Sequence, residues 1–382
     1  MNQFLMFLTT FLIQFVIATE MNIISPLAPF LSEFFGIRDS YVILFNIGYS
    51  AVGIFVPFLG ILSDQYGKKR ILSVAVIVFF IGTLIASFAR SPYTFAFGRI
   101  FIGLGYFSLS GTNISYISEF VTYENRGKAS GILRLSFGLS ILLSPIFATT
   151  LISRFNNVAS IYLPLSFLAF ISYLLLLKLP ETKKSDELKF NKQEFIQLLK
   201  DPRGIKIFST LFFLLTAPMM LLNFLGLYLS NQFNLTQVQI GLAYTIIAIG
   251  TLLGILVAAI FTDKLGKLKS ARIFFMIMVL SLVPLIFVKS IPIIILLSVL
   301  FAFGLDGGWT AFQTYASEIQ PAKRGTFMSL FYTVNALTVT LYSILGSLIY
   351  NYGGFSLAIL VGVVFSAFAM FILFQLNGID TN

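Results

Sequence analysis

The sequence predicts an all-α membrane protein, with twelve transmembrane helices in two pseudo-symmetric six-helix bundles. Three observations carry that prediction. The 382-residue chain is 58% hydrophobic and only 10% charged, whereas charged residues make up about 25% of an ordinary soluble domain. Its apolar residues fall into twelve runs, most of them long enough to cross a bilayer, six before a polar segment and six after it. A short charged turn also recurs once per half. Gly60–Arg70 reads Gly-Ile-Leu-Ser-Asp-Gln-Tyr-Gly-Lys-Lys-Arg, and Ala259–Lys269 reads Ala-Ile-Phe-Thr-Asp-Lys-Leu-Gly-Lys-Leu-Lys. Asp64, Gly67 and Lys68 thus correspond to Asp263, Gly266 and Lys267 at an offset of 199 residues. A second pair follows the same spacing closely, Glu119 with Arg126 against Glu318 with Arg324.

The first run, residues 4–31, lacks the positive start and the small-residue cleavage site of a signal peptide, so it is read as the first span. Further runs follow at 41–62, 71–89, 93–117, 128–151 and 158–178. After the polar segment they resume at 207–230, 238–262, 273–288, 291–317, 326–350 and 355–376. From Gly325 to Ile379 there is no Asp, Glu, Lys or Arg, and only the turn at Asn351–Gly354 divides that stretch. The expected organisation is an N-terminal bundle over 1–179, a linker over 180–206 and a C-terminal bundle over 207–382. Within the linker, Glu187–Lys200 sets Leu188, Phe195, Leu198 and Leu199 at roughly helical spacing. That pattern suits an amphipathic helix on the inner leaflet, or a solvated linker with a few stray apolar residues.

Basic residues orient the chain. With the Asp64 turn inside the cell, 19 Lys and Arg lie on that side and 4 on the other, and Arg99 and Arg134 fall inside spans. Both termini are then cytoplasmic and the protein is a multi-pass plasma-membrane protein. The net charge of +10 is a topology signal and implies no nucleic-acid partner.

The chain has no Cys and no His. That excludes disulfides, thiol catalysis and the commonest metal ligand, and leaves proton chemistry to carboxylates. No catalytic residue, metal or cofactor is expected, and no Gly-x-x-x-x-Gly-Lys-Ser/Thr loop is present for ATP. Within the spans the charges are Glu20, Arg99, Arg134 and Asp306. A charge at that depth is costly unless it is paired or lines water. Glu20 is a candidate proton carrier, with Arg99 as its proposed partner; a structural ion pair is the plainer reading. Asp306 is a second proton or substrate candidate, or a satisfied polar group between helices. Arg134 and Arg99 could also snorkel to an interface. Phe107, Asn223, Tyr228 and Trp309 are candidate cavity-lining residues.

These residues resemble the major facilitator superfamily along the whole chain. Its signature turn, Gly-x-Leu-x-Asp-x-x-Gly-Arg/Lys-Lys/Arg, is matched by Gly60, Leu62, Asp64, Gly67, Lys68, Lys69 and Arg70. The resemblance implies that Asp64 takes part in a conformational switch which latches the halves on the cytoplasmic side, with Asp263, Gly266 and Lys267 as its echo. It makes Glu119, Arg126, Glu318 and Arg324 candidates for a cytoplasmic gate. Arg99-Ile-Phe-Ile-Gly-Leu-Gly105 is similar to the family's Arg-x-x-x-Gly-x-Gly motif in the fourth span. Pro26-Leu-Ala-Pro29 resembles the end of the first span in the twelve-helix drug:proton antiporter branch. The antiporter motif Gly-x-x-x-Gly-Pro-x-x-Gly-Gly survives only as Ser140-Ile-Leu-Leu-Ser-Pro-Ile-Phe-Ala-Thr149, so Pro145 remains and the glycines do not.

The expected function is therefore secondary transport of a small organic solute by alternating access, as proton-coupled efflux. Proton-coupled uptake of a sugar, organic acid or other metabolite is the alternative, and a non-transporting membrane receptor is a further one. The expected partners are solute, protons and the bilayer, around a monomer.

Overall fold

The structure, a computed structural model, describes residues 3–121, 126–182, 192–320 and 323–376; within them, the side chains of residues 60, 61, 64, 126–130, 192, 194 and 195 are not described. Every regular element among the described residues is helical. Ten helical segments are long and apolar enough to cross a membrane. The chain divides into two compact units, residues 1–190 with 236–241, and residues 191–235 with 242–382.

The first unit contains α1 (Gln3–Ile23), α2 (Ala28–Phe35), α3 (Phe45–Ala51), α4 (Val56–Tyr66), α5 (Lys68–Ser87), α6 (Pro92–Phe120), α7 (Arg126–Phe155) and α8 (Ala159–Leu177). The apolar run at 4–31 is thus two helices. Four turn residues precede α2, whose Pro29 stands at its N-terminal end, where a missing N–H costs nothing. The run at 41–62 is also interrupted, by 3-10 turns at Asp39–Leu44 and Val52–Phe55 on either side of α3. A Ser91 side chain caps α6, accepting from the Thr94 amide at 3.2 Å, and Pro92 occupies the first turn.

Polar side chains hold this apolar unit together. Asn113 of α6 donates to the Thr10 carbonyl of α1 at 2.9 Å. Ser136 of α7 donates to the Phe11 carbonyl at 2.7 Å, and Ser140 bonds Thr19 at 3.1 Å. Ser140, which replaces the first glycine of the antiporter motif, therefore ties α7 to α1. Between α3 and α6 the approach is closer still. A Cβ on Gly103 would stand 2.2 Å from the Tyr49 carbonyl oxygen, so only glycine fits there.

The second unit contains α9 (Lys192–Lys200), α10 (Pro202–Leu214), α11 (Thr216–Phe233), α12 (Gln237–Leu265, whose first residues belong to the first unit), α13 (Lys267–Leu285), α14 (Ile291–Ile319) and α15 (Arg324–Phe374). Of the expected amphipathic helix, α9 covers Lys192–Lys200, and residues 187–191 lie outside the described ones. Leu198 is buried and Leu199 is exposed. Asp201 caps α10 by accepting from the Arg203 amide at 3.1 Å, and its second carboxylate oxygen accepts from Gln320 at 2.9 Å. α15 runs through the turn expected at Asn351–Gly354 and is broken only at Gly354, with φ 62 and ψ −157. Arg272 of α13 donates to the carbonyls of Leu373, Phe374 and Leu376, satisfying groups that the end of α15 leaves unpaired.

Candidate functional site

Two charges inside the first unit meet. Arg99 of α6 donates through Nη1 to Glu20 Oε1 of α1, and both residues are shut away from solvent, Glu20 at 0% and Arg99 at 1% exposure. The guanidinium is held on every side. Its Nε donates to the Phe45 carbonyl at 3.0 Å and its Nη2 to Asn46 Oδ1 at 3.2 Å. Its flat face lies 4.8 Å from the centre of the Tyr49 ring. α3 supplies all three contacts, so the short helix between the two 3-10 turns acts as the arginine's cradle.

The carboxylate has fewer partners. Tyr162 of α8 donates to Glu20 Oε1 at 3.1 Å, while Oε2 is buried with no hydrogen-bond partner among the described residues. Aromatic rings close the neighbourhood, with Phe95 lying 5.5 Å from Tyr162, 4.9 Å from Phe45 and 5.3 Å from Phe35. The pair is thus closed off from solvent, with one carboxylate oxygen bound to both Arg99 and Tyr162 and the other without a hydrogen-bond partner among the described residues.

The repeated turn is reproduced in detail. Gly67 adopts φ 92 and ψ 134, and Gly266 adopts φ 88 and ψ 137, both in backbone territory that L side chains avoid. The amides of Ile71 and Ser270 donate to the Gly67 and Gly266 carbonyls at 3.2 and 2.9 Å. Lys68 then pairs with Glu119, and Lys267 with Glu318. Each pair bridges the start of one helix to the end of the next within the same unit, α5 to α6 and α13 to α14. Lys69 adds a bond to the Leu177 carbonyl at 3.2 Å and pairs with Glu181 at 3.0 Å.

Other expected residues stand apart from these clusters. Gly60, Asp64 and Arg126 lie outside the described side chains. Asp263, Arg70 and Arg134 are exposed. Arg324 donates back to the Ser317 carbonyl at 2.8 Å. Asp306 accepts from Thr251 of α12 at 2.7 Å. Among the proposed lining residues, Phe107 is 5.9 Å from Tyr49, Trp309 is 5.5 Å from Phe331, Tyr228 stacks on Phe355 at 4.0 Å and Asn223 donates to the Met219 carbonyl. Sequence reasoning missed Tyr162, Asn46 and Tyr49. With 16 tyrosines in the chain, nothing but the packing of α3 and α8 singles these out.

A helical protein with ten membrane-length segments among the described residues, a buried ion pair and a charged turn repeated in both halves is a polytopic membrane protein. The family described as the Major Facilitator Superfamily matches residues 10–228 and 207–378. The chain belongs to that superfamily of membrane transporters. It is 28% identical over 378 residues to the uncharacterized MFS-type transporter YwfA of Bacillus subtilis, covering 93% of this chain and 89% of that one. An uncharacterized transporter of Buchnera aphidicola subsp. Schizaphis graminum is 32% identical over 171 residues, 44% of this chain and 41% of that protein. Among solved structures, a nucleoside transporter, NupG, superposes with TM-score 0.79 at 16% identity, covering 98% of both chains. A D-xylose–proton symporter superposes with TM-score 0.76 at 17% identity, over 96% of this chain and 97% of that one. At such identities these likenesses concern the fold alone.

Proposed function

We propose that this chain is a proton-coupled secondary transporter that exports a small organic solute, with Glu20 as the coupling carboxylate. The observation that carries the reading is the Glu20–Arg99 pair, two charges sealed in an apolar unit whose carboxylate has an oxygen without a hydrogen-bond partner among the described residues. Buried ion pairs contribute little to stability compared with apolar packing, so a pair at this depth is better explained by a proton that must come and go.

In this reading twelve spans form two six-helix bundles, residues 1–179 and 207–382, joined by the 180–206 linker with both termini in the cytoplasm. The bundles rock about a mid-membrane site. Gly67 and Gly266 shape the switch turns, and Asp64 acts as the latch. Lys68–Glu119 and Lys267–Glu318 make each helix pair move as one body. Arg99 holds Glu20 ionised in one state and releases it in the other, so that proton and solute occupy the transporter alternately. The protein works as a monomer in the plasma membrane.

The test uses purified protein in proteoliposomes with a pH-sensitive dye inside. Imposed solute gradients, scanned over cations, organic anions, nucleosides and sugars, should drive proton movement that an uncoupler abolishes and ATP does not affect. Proton movement opposite to the solute means export; movement with it reassigns the chain to uptake. Solute flux with no proton movement in any case refutes Glu20 as a coupling group.

A further inference from the structure

Helix α14 has two unlike faces. Gly304 and Gly308 turn toward α13, where a Cβ would come within 2.5 Å of the Met278 amide nitrogen and 2.4 Å of the Phe275 ring. The opposite face carries Asp306, Trp309, Thr310 and Gln313 at helical spacing, all half-buried. Neighbouring helices extend this polar stripe. Thr251 of α12 donates to Asp306 Oδ2 at 2.7 Å, and Gln313 donates to the Tyr332 hydroxyl of α15. The Trp309 ring lies 5.5 Å from Phe331. On a membrane span, a stripe of this kind faces water or the protein interior and avoids lipid.

Charge then narrows what such a stripe can hold. Glu20 and Arg99 neutralise each other out of reach of solvent. Asp306 has no basic partner among the described residues, and Arg134 lies exposed on α7, in the other unit. Resting on the transporter reading above, we propose that Asp306, Trp309 and Gln313, with Thr251 and Tyr332, form the recognition site for a lipophilic organic cation. The carboxylate supplies the countercharge. An indole face one turn away offers both apolar surface and attraction for a cation, and the amide and phenol bind polar substituents. An organic anion is repelled by the same carboxylate.

Trp309 is the chain's one tryptophan, so its fluorescence reports on the site directly. Full-length protein in detergent is titrated with tetraphenylphosphonium, tetraphenylborate of the same shape and opposite charge, and neutral triphenylphosphine oxide. Saturable quenching by the cation is expected, with the anion and the neutral compound at least about tenfold weaker. Asp306→Asn should weaken the cation by about tenfold and Asp306→Glu by much less. Equal binding of the three probes, no saturable quenching by the cation, or unchanged affinity in Asp306→Asn would overturn the site. Should the Asn variant fail to fold, the charge preference of the wild type decides alone. Gradient-driven transport of a neutral or anionic solute without cation binding removes this site and leaves the transporter reading standing. Cation binding without any gradient-driven flux does the reverse.

Discussion

Replacing Glu20 with leucine tests the energetics of the buried pair. Arg99 would then remain 1% exposed, with the Phe45 carbonyl, the Asn46 amide oxygen and the Tyr49 face as its surroundings and no countercharge. Stranding one member of a buried pair costs about 3–5 kcal/mol. Tyr162 loses its acceptor as well, a further cost of about 1–3 kcal/mol for an unsatisfied buried hydroxyl. The triple variant Glu20→Leu, Arg99→Met, Tyr162→Phe removes the stranded charge and the stranded hydroxyl, leaving only the Phe45 carbonyl and Asn46 Oδ1 without the arginine as donor, and should recover most of that loss. Equilibrium unfolding in mixed micelles of rising denaturing-detergent content measures both. A Glu20→Leu variant within about 1 kcal/mol of wild type, the range of an exposed pair, would mean that water reaches the arginine and that the pair is not sealed.

Three further expectations rest on geometry and a fourth on the proposed function. Gly67→Ala and Gly266→Ala should each cost about 1–3 kcal/mol and to a similar extent, since both need the same rare backbone; thermal unfolding checks this, and a marked inequality speaks against a shared turn. Gly103→Ala should lower thermal stability sharply whereas Gly111→Ala, with nothing within 4 Å of the added carbon, should not. Lys68→Met and Lys267→Met break partly exposed pairs, so each should cost only about 0.2–1 kcal/mol and less at high salt. On the proposed latch role, which rests on the family resemblance of the turn, Asp64→Asn should cripple turnover in proteoliposomes while the protein remains folded and inserted, and near-normal flux would remove that role.

Legibility from sequence followed contrast. In a chain with 10% charged residues, a carboxylate at Glu20 and a guanidinium at Arg99 stand out, and each has few others to pair with. The repeated turn was visible because glycine, acid and base recur in fixed order against an apolar background. Lys68 and Glu119 were each identifiable, yet their pairing was not, because it depends on α5 and α6 folding back over nearly their full length. Tyr162, Asn46 and Tyr49 were hidden for a different reason. Tyrosine is common at the ends of spans, a single asparagine can be satisfied by its own helix, and their spacing carries no mark of a partner 50 to 142 positions away. Helix interruptions were not legible in the same way. Residues 4–31 read as one apolar span although Pro26 and Pro29 stand at the break before α2, and no apolar pattern marks the 3-10 turns on either side of α3.

On the proposed cycle, Glu20 takes up a proton in the state where Arg99 releases it and gives that proton up when solute binds. Proton release in weakly buffered detergent solution, on adding candidate cations, anions and sugars to wild type and Glu20→Gln, reads this step. Release from the wild type, absent in the variant while solute still binds, is the predicted result. Binding without release, or equal release from both proteins, would contradict it and leave Glu20 as a structural partner of Arg99.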